Sequence, residues 1–330
     1  MRAGAIFLAS FLAVSAFASE QRFAALGDFT LDSGQAIRDC RIGYRLDGAP
    51  DEARSNVIIV TTWFAGRSAD LGGWIGPGKL FDTNRWYVVS IDAFGNGVSS
   101  SPSNSTLQPG AAFPKFTIRD LVRSQHQLLT KHLGFEHVYA VAGLSMGGMQ
   151  TFQWTVSYPS FMEKAISIVG TPRQTSTDIL LWQTELDLLE GFSDSPQSLR
   201  KAMRTVAAIQ AMEIRTPAWL ARSIKPVDAL QHLETHRKSL ESRDPWDYMA
   251  QLRGMLAHDI GRNEEMAGTI RARMLIVVAL QDEMVNPGPA RELATLLRAS
   301  LVTLSGDCGH LASGCEREVL EREVTGFLAR

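Results

Sequence analysis

The sequence predicts an α/β fold: a doubly wound, mostly parallel sheet with an inserted helical cap. Three observations carry that expectation. Short, continuous apolar runs rich in β-branched residues alternate with amphipathic stretches, the pattern of repeated βα units. One run leads directly into a serine flanked by glycines, and the stretch from 174 to 263 holds no strand-like run at all. The composition agrees, since 330 residues with 45% hydrophobic, 21% charged, 27 Gly and 13 Pro are ordinary globular usage and exclude collagen-like, disordered and coiled-coil classes. Thirty-three basic against 35 acidic residues give a net charge of −2, which favours neither nucleic acid nor an anionic membrane as partner. A small molecule is the expected ligand.

Taken in chain order, the first segment concerns transport. Arg2 precedes an apolar run from Ala5 to Phe17, and Ala16-Phe17-Ala18 places small residues where a signal peptidase reads. The run is shorter than the roughly 20 residues that span a bilayer, so residues 1–18 are expected to be a signal peptide cleaved after Ala18, leaving an exported chain with no membrane contact. Six continuous runs then read as strands covered on both faces: Val57 to Thr62, Tyr87 to Ile91, Val138 to Ala142, Ala165 to Val169, Met274 to Ala279 and Leu301 to Leu304. Between Thr117 and Leu133 apolar residues fall at helical spacing, with Thr117 and Asp120 as an N-terminal cap pair and Gly134 as the stop. Amphipathic helices separated by Pro196, Pro217, Pro226 and Pro245 fill the strandless stretch. The expected organisation is a core of 19–173 and 264–330 with a cap insertion at 174–263.

The chemistry centres on Gly143-Leu144-Ser145-Met146-Gly147, a G-x-S-x-G turn between a strand and a helix-compatible stretch. Such a turn is tight enough that the flanking residues need almost no side chain, and it projects Ser145 into a cleft. A serine hydroxyl needs a general base and an orienting carboxylate, which follow in the order acid then histidine on loops after late strands. Those loops carry Gln281-Asp282-Glu283 and Gly306-Asp307-Cys308-Gly309-His310, so Asp282 and His310 are the expected partners, with Glu283 and Asp307 as rival acids. An oxyanion would be met by the backbone N–H of Met146 and by that of Phe64 or Trp63, on the loop after the first long apolar run. Trp63 and Phe64 would also line the pocket.

The remaining histidines read as solvated or packed side chains. His232 and His236 lie four apart, but no Glu follows His232 as the zinc-protease signature requires, and His126, His132 and His137 surround one helix. No metal site and no cofactor is expected. Cys308 and Cys315, seven positions apart, bracket His310 and are the nearer pair for a disulfide in an oxidising compartment; two thiols unrelated to catalysis are the alternative.

With these residues in place, the chain resembles the homoserine O-acetyltransferase group of α/β-hydrolases. Four stretches carry the resemblance: Trp74-Ile75-Gly76-Pro77-Gly78-Lys79 with Asp82-Thr83-Asn84-Arg85, Phe94-Gly95-Asn96-Gly97 with Ser100-Ser101-Pro102-Ser103-Asn104, the elbow continuing Met146-Gly147-Gly148-Met149-Gln150, and Asp244 to Asp259. The resemblance implies an α/β-hydrolase fold and acyl transfer through an acyl-serine at Ser145. It adds Tyr248 and Arg253 as candidate substrate-binding residues beside Trp63 and Leu311. The amino-acid acyltransferases of the group usually carry Asp after the base, where Leu311 stands here. An exported chain would also rarely meet coenzyme A thioesters. Both departures point to an acyl ester or thioester resolved by water or by an unfamiliar hydroxyl acceptor. A cytoplasmic acyl-coenzyme A-dependent homoserine O-acetyltransferase and a catalytically silent ligand-binding homologue are the alternatives, and a homodimer stays open.

Overall fold

The computed structural model describes residues 19–262 and 264–330; the expected signal peptide at 1–18 lies outside them. The chain opens with a hairpin of β1 (Arg22–Thr30) and β2 (Ala36–Asp47) and enters the sheet centre at β3 (Val57–Thr61). Short strands β4 (Ile75–Gly76) and β5 (Phe81–Asp82) pair apart from it, and β6 (Tyr87–Ile91) returns to it. Helix α1 (Ile118–Gln127), β7 (Val138–Leu144), α2 (Met146–Ser157) and β8 (Met162–Ile168) follow. Five helices come next: α3 (Ser176–Gly191), α4 (Pro196–Glu213), α5 (Pro217–Ser223), α6 (Ala229–Glu241) and α7 (Pro245–Leu256). The chain closes with α8 (Glu264–Thr269), β9 (Arg273–Ala279), α9 (Gly288–Leu297), β10 (Ser300–Leu304), α10 (Ala312–Cys315) and α11 (Arg317–Leu328).

The main sheet has eight strands in the order β1-β2-β6-β3-β7-β8-β9-β10. From β6 to β10 every pairing is parallel, whereas β1 and β2 add an antiparallel end. All six expected strands are present, but β10, at the sheet edge, is largely exposed rather than covered on both faces. The hairpin that precedes them is additional to the sequence expectation.

Each central strand feeds two apolar layers, because successive side chains leave opposite faces. Val57, Ile59, Val141, Ile276 and Val278 pack on one side with α1, α2 and α9, and Ile58, Val60, Ala140, Leu275 and Val277 pack on the other with α11. Burial on both faces is what makes these strands continuous rather than alternating in sequence. Thr117 caps α1, accepting from the Asp120 N–H while the Asp120 side chain accepts from the Thr117 N–H. The last turn loosens into a wider five-residue form, Leu128–His132, before Gly134 at φ +68° ends it. No helix among the described residues is long and apolar enough to cross a membrane.

Candidate active site

The serine sits where β7 turns into α2. Ser145 has φ +56° and ψ −120°, a conformation that L residues adopt at a cost, and its N–H donates to the Ile168 carbonyl at 2.8 Å. The neighbouring glycines make the turn sterically feasible. A Cβ on Gly143 would lie 2.2 Å from the Gly147 carbonyl oxygen, and one on Gly147 would lie 2.6 Å from the Thr61 carbonyl oxygen. Helix α2 is anchored from beneath: Thr61 Oγ1 donates to the Gly147 carbonyl at 3.0 Å, and Gln150 Nε2 donates to the Thr62 carbonyl at 3.0 Å.

The fold brings the loops after β9 and β10 to this turn. His310 Nε2 is 2.8 Å from Ser145 Oγ, and His310 Nδ1 is 2.7 Å from Asp282 Oδ2. The other carboxylate oxygen of Asp282 accepts from the N–H groups of Met284 at 3.0 Å and Val285 at 2.9 Å, which fixes the rotamer. Asp282 and His310 are 6% and 7% exposed, so water is largely excluded from their contact. The rival acids point elsewhere, since Glu283 is exposed and Asp307 pairs with Arg222, whose guanidinium holds its carboxyl below the usual range.

His310 rides on a single turn, Gly309–Leu311, closed by the Cys308–Cys315 disulfide. Gly309 has φ +61° and lies so near the backbone of Arg215 and Thr216 that an added Cβ would sit 3.1 Å away. The turn that carries His310 is therefore packed against the chain entering α5.

A cavity of about 350 Å³ opens beside Ser145, lined by Trp63, Phe64, Trp74, Leu144, Val169, Gln210, Ile214, Met284, Leu311 and Ser313 together with Ser145 and His310. No carboxylate or cationic side chain contributes to that wall apart from the imidazole. Of the four residues expected to bind substrate, Trp63 and Leu311 line the cavity and two do not. Tyr248 is buried behind the wall, where its ring meets Phe64 edge-on at 4.5 Å and its hydroxyl donates to Glu185 at 2.7 Å. Arg253 pairs with Glu190 at 2.7 Å, away from the cavity. Both belong to α7, and neither lines the cavity.

Helix α7 also holds the loop after β3. Gln251 Oε1 accepts from the Ala65 N–H at 2.7 Å while its Nε2 donates to the Phe94 carbonyl at 2.8 Å. Ala65 has φ +55°, so this hydrogen bond helps to maintain an unfavourable backbone next to Phe64. Asp247 accepts from the Ser103 N–H at 2.8 Å and from its hydroxyl at 2.6 Å. Phe64 thus stands on a loop clamped from behind, and Met146 opens α2, where the first N–H groups lack helical partners.

Two groups escaped sequence reasoning. Glu185 on α3 is 1% exposed, and burial pushes its carboxyl up to about 7. Gln210 on α4 reaches the cavity and donates to the Tyr248 hydroxyl. Neither stands in a motif, and each reads in sequence as the polar side of an amphipathic helix. The remaining histidines have ordinary surroundings: His126 stacks on Tyr158, His132 and His137 are exposed, and His258 meets the Thr171 carbonyl. His232 and His236 belong to no metal-competent cluster, none being present among the described residues.

The chain belongs to the α/β hydrolase fold family, whose model matches residues 56–314. Its relatives are esterases and homoserine acyltransferases. It is 33% identical over 204 residues to the ethyl acetate hydrolase of Pseudomonas veronii, covering 61% of this chain and 58% of that one. It is 39% identical over 160 residues to the homoserine O-acetyltransferase of Methanohalophilus mahii, covering 43% and 33%. The matched stretches therefore span less than two thirds of these relatives' lengths. Among solved structures, an acetylester hydrolase from Corynebacterium glutamicum superposes with a TM-score of 0.88 at 22% identity, covering 94% of this chain and 96% of that one, a likeness of fold.

Proposed function

We propose that the protein hydrolyses small neutral carboxylic esters through an acyl-Ser145 intermediate. The observation that carries this reading is the hydrogen-bonded line from Ser145 through His310 to Asp282, opening on an apolar cavity without a charged recognition group.

His310 Nε2 takes the Ser145 proton as Oγ attacks the ester carbonyl, and Asp282 holds the imidazolium that forms. The Met146 and Phe64 N–H groups stabilise the oxyanion. Collapse breaks the ester C–O bond, and the imidazolium returns its proton to the departing alkoxide. Water then attacks the acyl-serine with His310 again as base, releasing the acid and restoring Ser145.

Leu311 supports water over an amino-acid acceptor, because an ammonium group would find no carboxylate in the cavity wall. The disulfide supports the proposed export, since such bonds persist in oxidising compartments, and α3–α7 serve in this reading as the cap that shapes the pocket. Ser145→Ala is expected to abolish hydrolysis of p-nitrophenyl acetate and labelling by a fluorophosphonate probe. Turnover at the wild-type rate would remove Ser145 as nucleophile. Acetyl-coenzyme A turnover that requires homoserine would instead identify a transferase, and a mature N-terminus at Met1 would overturn export by signal cleavage.

A further inference from the structure

Apart from Ser145, His310 and the indole N–H groups of Trp63 and Trp74, which only donate, the polar side chains in the cavity wall are Gln210 and Ser313. Gln210 is the end of a directed chain of hydrogen bonds through three helices. Its Nε2 donates to the Tyr248 hydroxyl, which donates in turn to Oε2 of Glu185. Both members behind the wall are buried, Glu185 at 1% and Tyr248 at 2% exposure. Direction matters here. Above about pH 7, where Glu185 is ionised and only accepts, Tyr248 commits its one proton to Glu185 and turns an oxygen lone pair toward Gln210. A lone pair is met by the N–H end of an amide, not by its oxygen. The buried pair therefore sets which way round the Gln210 amide sits, leaving Oε1 as an acceptor with no donor among the described residues.

We propose that Gln210 is a specificity-determining residue whose Oε1 accepts a hydrogen bond from a free hydroxyl on the ester substrate. This rests on the ester-hydrolase reading and deepens it. In an apolar cavity an ester bearing a hydroxyl meets that acceptor, whereas its methyl isostere strips water from it without replacement. One neutral hydrogen bond of this kind corresponds to a preference of about tenfold in kcat/KM.

Two isosteric pairs separate a hydroxyl on the alcohol from one on the acid: 2-hydroxyethyl acetate against propyl acetate, and ethyl glycolate against ethyl propanoate. The wild-type enzyme is expected to prefer the hydroxylated member of one pair by about tenfold, and Gln210→Met is expected to erase that ratio. A purely structural role for Gln210 would depress both members alike and leave the ratio intact. Should Gln210→Met fail to fold, Tyr248→Phe keeps the ring against Phe64, frees the amide to turn, and is expected to lower the same ratio. Absence of a preference in both pairs, or a preference that survives the substitution, overturns the assignment. Ser145→Ala run alongside separates the two proposals: turnover independent of Ser145 removes the hydrolase reading, while Ser145-dependent turnover blind to the hydroxyl removes only the role of Gln210.

Discussion

Thr216 Oγ1 donates a hydrogen bond of 2.6 Å to the carbonyl of Asp307, tying the first turn of α5 to the loop that carries His310. The same hydroxyl oxygen accepts from the Trp219 N–H at 3.0 Å and so caps α5. Thr216→Val keeps the shape and removes both bonds. The cap alone is worth about 1 kcal/mol, so Tm should fall; kcat should fall roughly tenfold as the base loses its register. Steady-state kinetics with an unchanged KM is the expected result, and an unaltered kcat would show that the loop is positioned without α5.

Gln251→Leu tests the clamp on the loop that carries Phe64, the proposed second oxyanion donor. With the Ala65 N–H left unpaired, the Phe64 N–H should drift from its place, and kcat should drop by about 10- to 100-fold, short of losing a donor outright. KM for p-nitrophenyl acetate should change little. A loss confined to KM would place Gln251 in substrate binding instead.

Asp282→Asn keeps the size of the side chain and removes the charge that holds the imidazole. On the proposed mechanism kcat should fall by about four orders of magnitude, as removal of the orienting carboxylate does in serine hydrolases generally. A small effect, with a large one for Glu283→Gln, would reassign the acid.

Glu185 sets a pH dependence of stability. Its carboxyl titrates at about 7 when folded against 4.5 ordinarily, so the folded chain holds this proton more tightly than the unfolded one. The stabilising contribution is complete below pH 4.5 and is lost as the pH rises through 7. Glu185→Gln stays neutral throughout. The Tm difference between the variant and the wild type should therefore grow in the variant's favour across that window, and parallel curves would contradict the burial of an ionisable group there.

Reducing the Cys308–Cys315 bond should cost about 2 to 3 kcal/mol for so short a loop and should lower kcat by loosening the turn that bears His310. Thiol titration in denaturant should count one group, Cys40, without reductant and three with it. Equal counts would exclude the bridge.

The parallel half of the sheet was legible because burial on both faces writes itself as an unbroken apolar run, as in Val57–Thr61. The hairpin was not. β1 buries only Ala24, Leu26 and Phe29, each between exposed neighbours, and its pairing with β2 shifts register around Gly27, so no continuous run announces it. That Ser145, Asp282 and His310 would meet was legible because each follows a strand at a fixed place in chain order. Tyr248 and Arg253 were misplaced for a different reason: Glu185 and Glu190, some 63 positions earlier, take them up, and nothing local in the sequence records such a pairing.

The contact of Gly143 with the Gly147 backbone, and of Gly147 with the Thr61 backbone, divides the site for anyone redesigning it. At the elbow the clashing atoms are main chain, so no choice of neighbouring side chain makes room for a methyl group, and a randomised library spanning these two codons would yield almost entirely misfolded clones. Trp74, Ile214 and Met284 line the same cavity without belonging to the elbow. Diversity directed there changes the volume offered to an acyl chain while leaving the nucleophile's turn untouched, and that is where new substrate ranges are to be sought.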